Sequence, residues 1–362
     1  MPLSNIQPER YSQKLQEKVC EKLSLFQSFE LPDIQIFESA PLAYRMRAEF
    51  RLWHQDDDLY YAMFKPEQPK IPCRIDKFEI GSKTIQKLMP LLLEQLKANP
   101  VLRNRIFQVE FLSSQTEQAL VTLIYHRPLD QDWLAQAQQL AHKLNIQLVG
   151  RSKKQKLIVE NDYIEERLSV DGKDYFYRQY EQAFTQPNAG VNEKMISWAM
   201  ATAGASNQDL LELYCGNGNF TIPLAENFRK VLATEISKTS VLAAQFNLQR
   251  NHIDNIDMIR MSAEDISSAF QREREFRRLK SIPLDSFSFS TIFVDPPRAG
   301  LDTLSEDLVT QFDNIIYISC KPETLSKNLL KIAKTHTIEQ FAFFDQFPYT
   351  DHMETGVFLT RR

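Results

Sequence analysis

The chain has 362 residues, enough for two ordinary domains that each bury a core of their own. Hydrophobic residues make up 43% and charged residues 25%, the balance of a soluble globular protein, and no long uncharged apolar run suggests a membrane span. A formal charge of −4 excludes a protein that simply coats nucleic acid, while leaving room for a local basic face.

Residues 1–14 are polar and lack the apolar core of a signal peptide, so a cytoplasmic location is expected. Cys20, Cys73, Cys215 and Cys320 are widely scattered, with no CxxC pair and no Cys/His cluster at zinc or iron–sulfur spacing. Neither a metal nor an iron–sulfur cluster is expected. Three of these thiols read as small apolar residues and one as reactive.

Taken in order, the first helix spans about Pro8 to Phe26, with Tyr11, Leu15, Val19 and Leu23 on one stripe. It reads as a packing helix. Next, Met46, Ala48, Phe50 and Leu52 alternate with Arg45, Arg47, Glu49 and Arg51, the pattern of a half-buried strand with a basic outer face. Further strands follow in LYYAMF, IFQVEFL and ALVTLIY, and Ile85, Leu88, Met89, Leu92 and Leu96 form a helical stripe that Pro90 is expected to kink. A helix over residues 130–144 completes a mixed α+β first domain. Residues 151–156 (RSKKQK) add a second basic run, and a hairpin with an Asp171-Gly172 turn follows. The boundary is placed near residue 165, giving an N-terminal domain of residues 1–165 and a second domain of residues 166–362.

In the second domain strands alternate with helices. LLELY, VLATE, IDMIRM, TIFVD, IIYIS, IEQFAFF and GVFLT make seven strands of a doubly wound α/β sheet, the last two paired antiparallel at one edge. The first of them runs into Gly216-Asn217-Gly218, where glycines let backbone amides approach a ligand. Thr221 occupies the third glycine position of a dinucleotide fingerprint, so a pyrophosphate fits less well. Glu235 ends the second strand, from which a carboxylate reaches ribose hydroxyls. Ser262-Ala263-Glu264-Asp265 reads better as a helix cap than as an adenine contact. These features together resemble the class I S-adenosylmethionine-dependent methyltransferases, with their Rossmann-like seven-stranded sheet.

Three further motifs carry chemistry. In Asp295-Pro296-Pro297-Arg298 the prolines present an acid and a base rigidly beside the crevice, against the alternative of a merely stiff loop. Cys320 ends a strand on the ligand rim. A free cysteine is usually an inert small hydrophobe, but Lys321 and Arg298 nearby are expected to lower its pKa. Glu354, just before the final strand, is placed to act as a general base over the same crevice. His352 is left without a role.

Asp-Pro-Pro-Arg, Ser-Cys-x-Pro and His-x-Glu, in that order after a glycine turn, resemble the RNA uracil-5-methyltransferases over residues 183–362. The whole chain is similar to the bacterial tRNA branch of that family nearly end to end. Relatives acting on ribosomal RNA commonly carry an N-terminal TRAM domain and iron–sulfur cysteines, which this chain lacks. The resemblance implies that Cys320 adds to C6 of uracil, that Asp295 and Arg298 hold and polarise the base, and that Glu354 removes the C5 proton. It also implies that Gln186, Tyr214, Gly216, Asn219, Glu235 and Asp295 line an S-adenosylmethionine site. The target it points to is a T-loop uridine in the tRNA T arm (position 54 by family), with other T-loop-like RNAs open and a monomeric enzyme expected. One departure is Lys321, where the family commonly has Asn. The N-terminal domain becomes the RNA-binding candidate, with Arg45, Arg47, Arg51 and residues 151–156 as phosphate contacts, each weighed against an ordinary solvated surface. Two rivals stay open: an exocyclic amino N-methyltransferase, which needs no cysteine, and an RNA-binding or folding module without turnover.

Overall fold

The computed structural model describes residues 6–65, 68–272, 274, 276–280 and 282–362. Contacts divide the chain into two compact units that are not contiguous in sequence. Of the described residues, the first contains those of 6–8, 40–167 and 178–189; the second contains those of 9–39, 168–177 and 190–362. Where the sequence suggests one cut near residue 165, the chain crosses between units several times, and the first helix belongs with the second unit.

The first unit is built on a seven-stranded sheet. Its strands are β2 (Arg47–Gln55), β3 (Asp58–Lys65), β4 (Gln68–Arg74), β5 (Ile106–Ser113), β6 (Ala119–Tyr125), β7 (Gln147–Ser152) and β8 (Gln155–Ile158), in the order β4-β3-β2-β5-β6-β7-β8. The alternation read from β2 holds: Ala48, Phe50 and Leu52 are buried, whereas Arg47 and Arg51 are half-buried and Glu49 exposed. The buried face packs on α2 (Lys83–Ala98) and α4 (Gln131–Leu144), and α3 (Pro100–Arg103) packs against both helices. Ser82 caps α2 by accepting from the Ile85 amide at 3.2 Å, and Asp130 caps α4 by accepting from the Trp133 amide at 2.8 Å. The helix α2 runs through Pro90 without interruption. A hairpin, β9 (Tyr163–Val170) and β10 (Lys173–Tyr180), turns at Asp171 and Gly172, both with positive φ.

The second unit holds an eight-stranded sheet. All seven expected strands form: β11 (Asp209–Leu213), β12 (Val231–Glu235), β13 (Ile256–Arg260), β14 (Phe289–Val294), β15 (Asn314–Ser319), β16 (His336–Phe344) and β17 (Glu354–Arg361). An eighth, β1 (Ile34–Phe37), pairs parallel with β16, giving the order β1-β16-β17-β15-β14-β11-β12-β13. Only β17 runs antiparallel to its neighbours. Helices α5 (Ala189–Ala203), α7 (Lys238–Arg250), α8 (Ala263–Phe270), α9 (Thr303–Val309) and α10 (Pro322–Ile332) accompany the sheet, together with α1 (Tyr11–Leu23). The segment after the glycine turn, α6 (Thr221–Leu224), is a single turn. Ser262 caps α8 by accepting from the Asp265 amide at 3.1 Å, as the cap reading requires. No described helix is long and apolar enough to cross a membrane.

Candidate active site

The site lies where β11, β12, β14 and β15 end and β17 begins, all within the second unit. Parallel pairing aligns these ends: Leu213 lies beside Thr234 on one side and Val294 on the other, and Val294 lies beside Tyr317. The residues that follow, Tyr214, Glu235 and Asp295, therefore emerge on one rim. Because β17 is antiparallel, Ser319 faces Thr355, and one step beyond that pair the two strands carry Cys320 and Glu354. A thiol and a carboxylate separated by 33 intervening residues are brought together by strand register.

The charges around the thiol differ from the expectation. Burial, then Glu354, then Asp295 push the Cys320 thiol up to about 11, and Arg298 acts in the opposite direction. Lys321, expected to favour the thiolate, is exposed and is not among the main influences on the thiol. Lys321 is exposed at the start of α10, whereas Glu354 is buried beside the strand end that carries the thiol. Burial holds Asp295 up at about 7. Glu354, 3% exposed, is held well above the carboxylate range by burial and then by Asp295. Arg298 is exposed, with a guanidinium nitrogen 3.5 Å from His352 Nε2.

The Asp-Pro-Pro-Arg loop is fixed from below. Thr324 Oγ1 donates to the Arg298 carbonyl at 3.1 Å, and Asn328 Oδ1 accepts from the Leu301 amide at 3.2 Å and the Tyr317 hydroxyl at 2.8 Å. Gly300 has φ +80°, and any β-carbon there would collide with Thr324 and Asn328 on α10. The loop bearing Arg298 is thus seated on the helix that follows Cys320.

On the glycine-turn side, Gly216 has φ +58° and open space where a β-carbon would stand. Its amide donates to Glu235 Oε2 at 3.0 Å, and the Ser237 amide donates to Oε1 at 2.7 Å. Tyr214, also at positive φ (61°), has its hydroxyl pushed up to about 12, chiefly by burial. Asn219 and Asn192 exchange amide hydrogen bonds at 2.8 Å in each direction. Gln186 is half-buried in the first unit. Sequence reasoning missed Glu212. It is 1% exposed on β11, its Oε2 has no hydrogen-bond partner, and burial raises its carboxyl to about 8. Its place four residues before Gly216, on the strand that leads into the turn, was the available signal. An open glycine turn, a backbone-anchored acid and an orphaned buried carboxyl oxygen suit a cationic nucleoside such as S-adenosylmethionine.

The first unit presents a second feature of its own, a cavity of about 1060 Å³ lined by Arg51, Trp53, Phe64, Lys70, Phe107 and His126, among others. His126 stacks on Phe107 with centroids 4.0 Å apart, and the Arg51 guanidinium lies 3.7 Å from the Phe107 centroid. Arg47 donates to the carbonyls of Ala183 and Glu181 at 2.9 and 2.8 Å, and Arg45 donates to the Arg47 carbonyl at 2.8 Å. In the second basic run, Arg151 and Lys156 both pair with Glu181, and Lys153 and Lys154 are exposed. The thiols also sort differently from the expectation: Cys215 is buried, but Cys20 and Cys73 are exposed.

Residues 10–362 match the family model described as tRNA (uracil-5-)-methyltransferase. A tRNA/tmRNA (uracil-C(5))-methyltransferase of Saccharophagus degradans is 52% identical over 361 residues, 99% of each chain. Another, of Aromatoleum aromaticum, is 51% identical and covers 100% of this chain and 98% of its own. Among solved structures, the Pyrococcus abyssi tRNA (uracil-54, C5)-methyltransferase in complex with S-adenosyl-L-homocysteine aligns with a TM-score of 0.73. That alignment has 19% identity and covers 97% of this chain and 83% of the other. At that identity it speaks to the fold alone, which is the class I methyltransferase sheet.

Proposed function

Since the chain belongs to the tRNA (uracil-5-)-methyltransferase family, we propose that it methylates C5 of a uridine in the T loop of tRNA, position 54 by family resemblance. The product is 5-methyluridine. The observation that carries this reading is the register that sets Cys320 beside Glu354 at the rim shared with Asp295. An amino N-methyltransferase has no use for that pair.

S-adenosylmethionine, when bound, supplies an electrophilic methyl group on a sulfonium. Gly216, Glu235, Tyr214, Asn219 and Asp295, all of the second unit, are the residues proposed to hold it. Uracil C5 is a poor nucleophile until the Cys320 thiolate adds to C6, which creates an enolate whose C5 accepts the methyl group. Arg298, the cation among the charged neighbours of the sulfur, favours both the thiolate and the oxyanion at O4. Glu354 then takes the C5 proton, the C5–C6 double bond re-forms and Cys320 leaves. Burial raises the affinity of the Glu354 carboxylate for that proton.

The target uridine has to leave its stack to reach the site, at a cost of a few kcal/mol. In the first unit, the face bearing Arg51, Phe107 and His126 offers stacked rings and cationic charge, the combination that receives unstacked bases. Of the three strand arginines, Arg51 fits an RNA role best, because Arg45 and Arg47 bond to backbone carbonyls. The test is to incubate the protein with unmethylated tRNA and labelled S-adenosylmethionine, digest the RNA and identify the nucleoside. Labelled 5-methyluridine that disappears with Cys320→Ala is the expected result. Label on a nitrogen, or full activity in that variant, refutes it.

A further inference from the structure

The first helix buries more than its apolar stripe. Lysine is almost never buried unless it is paired, yet Lys18 and Lys22, one turn apart on α1, are 9% and 6% exposed. Lys18 directs its ammonium to three acceptors: a carboxylate oxygen of Asp345, the Phe347 carbonyl at 3.2 Å and the His352 carbonyl at 3.1 Å. All three belong to residues 345–353, the connection between β16 and β17 that delivers Glu354. This segment has no regular structure, and Tyr349 within it sits at φ +62°. Its carbonyls have no ladder to join, so one ammonium supplies donors at the beginning, middle and end of the loop.

The anchor is itself held. The Tyr11 hydroxyl donates to the other Asp345 oxygen at 2.9 Å and accepts from the Ser39 amide at 2.7 Å, and the Asp345 amide donates to the Phe37 carbonyl at 2.9 Å. Lys22 reaches Glu323 at 3.2 Å, three residues past Cys320 in the first turn of α10. One helix therefore ties down both segments that carry the paired groups of the site.

We propose that Lys18 is a positioning residue for the base, holding the 345–353 loop so that Glu354 meets the C5 proton; this rests on the C5-methylation reading above. Glu354 acts after the methyl group has moved. In that step the C5–H bond breaks, its proton goes to the carboxylate, its electron pair forms the C5–C6 double bond, and the C6–S bond breaks to release the Cys320 thiolate. A loosened loop slows this elimination and leaves addition and methyl transfer intact. The trapped species is a methylated tRNA still bonded to Cys320.

The test uses full-length Lys18→Met, Lys18→Arg and Asp345→Asn proteins with unmethylated tRNA and labelled S-adenosylmethionine, read by product formation and by denaturing gel. For Lys18→Met we expect kcat to fall at least tenfold with an unchanged KM for tRNA, and a labelled protein–RNA band that survives denaturation. Lys18→Arg restores part of kcat and reduces the band. Asp345→Asn, which keeps the loop's shape and removes its charge, shows a weaker form of the same defect and serves if Lys18→Met fails to fold. A loss of kcat with no labelled band, or wild-type turnover in both Lys18→Met and Asp345→Asn, overturns the proposal. If wild-type protein makes no 5-methyluridine, the parent reading has failed instead.

Discussion

The reactivity of Cys320 can be calculated and measured without any substrate. Its thiol is carried from an ordinary 9.0 to about 11, so at pH 8 its thiolate fraction is about a hundredfold below that of a simple thiol. A more basic thiolate is intrinsically the better nucleophile, by about eightfold for a Brønsted slope near 0.45. The net expectation is reaction with a disulfide reagent at pH 8 about tenfold slower than a simple thiol, rising with pH through 10. Site-resolved mass spectrometry distinguishes Cys320 from the exposed Cys20 and Cys73. Asp295, at about 7, is ionised at pH 8, so Asp295→Asn accelerates the reaction there, and Arg298→Ala slows it. Glu354 outweighs Asp295 in raising the thiol, so Glu354→Gln accelerates the reaction as well. A Cys320 that reacts as fast as a free thiol at pH 8, or ignores all three substitutions, refutes the electrostatic picture.

Three other outcomes follow from named contacts. Glu212 is raised from 4.5 to about 8 in the folded state, so its contribution to stability is present below pH 4.5 and is lost as pH rises toward 8. At ~1.4 kcal/mol per pH unit the loss is roughly 4–5 kcal/mol. Glu212→Gln should therefore flatten the fall in melting temperature between pH 5 and pH 8.5, and an unchanged slope argues against it. Gly300→Ala forces a β-carbon onto Thr324 and Asn328 at a left-handed position, and should cost about 1–3 kcal/mol in denaturant unfolding. Phe107→Ala and His126→Ala should each weaken tRNA binding by about 1–3 kcal/mol, read by filter binding, with affinity for S-adenosylmethionine unchanged.

Much of the site was legible because the signals are local. The alternation in β2, the helical stripes, the Asp171-Gly172 turn, the Ser262 cap and the glycine turn before α6 each rest on side-chain period or backbone sterics within a few residues. The same logic placed Cys320 and Asp295 at strand ends. The short strand β1 escaped notice because four residues carry too little period to distinguish strand from loop. Lys18 and Lys22 escaped because lysine on a helix reads as solvated surface, and their partners lie about 300 residues away.

By itself, then, the sequence determined most of the segments that become strands and helices, where the chain turns, and that Cys320 and Asp295 stand at the sheet's rim. Tertiary structure alone decided that Ser319 faces Thr355, so that Cys320 and Glu354 become neighbours. It also decided that the thiol is suppressed, and that residues 9–39 brace the second unit. Strand register, burial and the charge surrounding a buried group depend on chain segments far apart in sequence, and no local pattern encodes them.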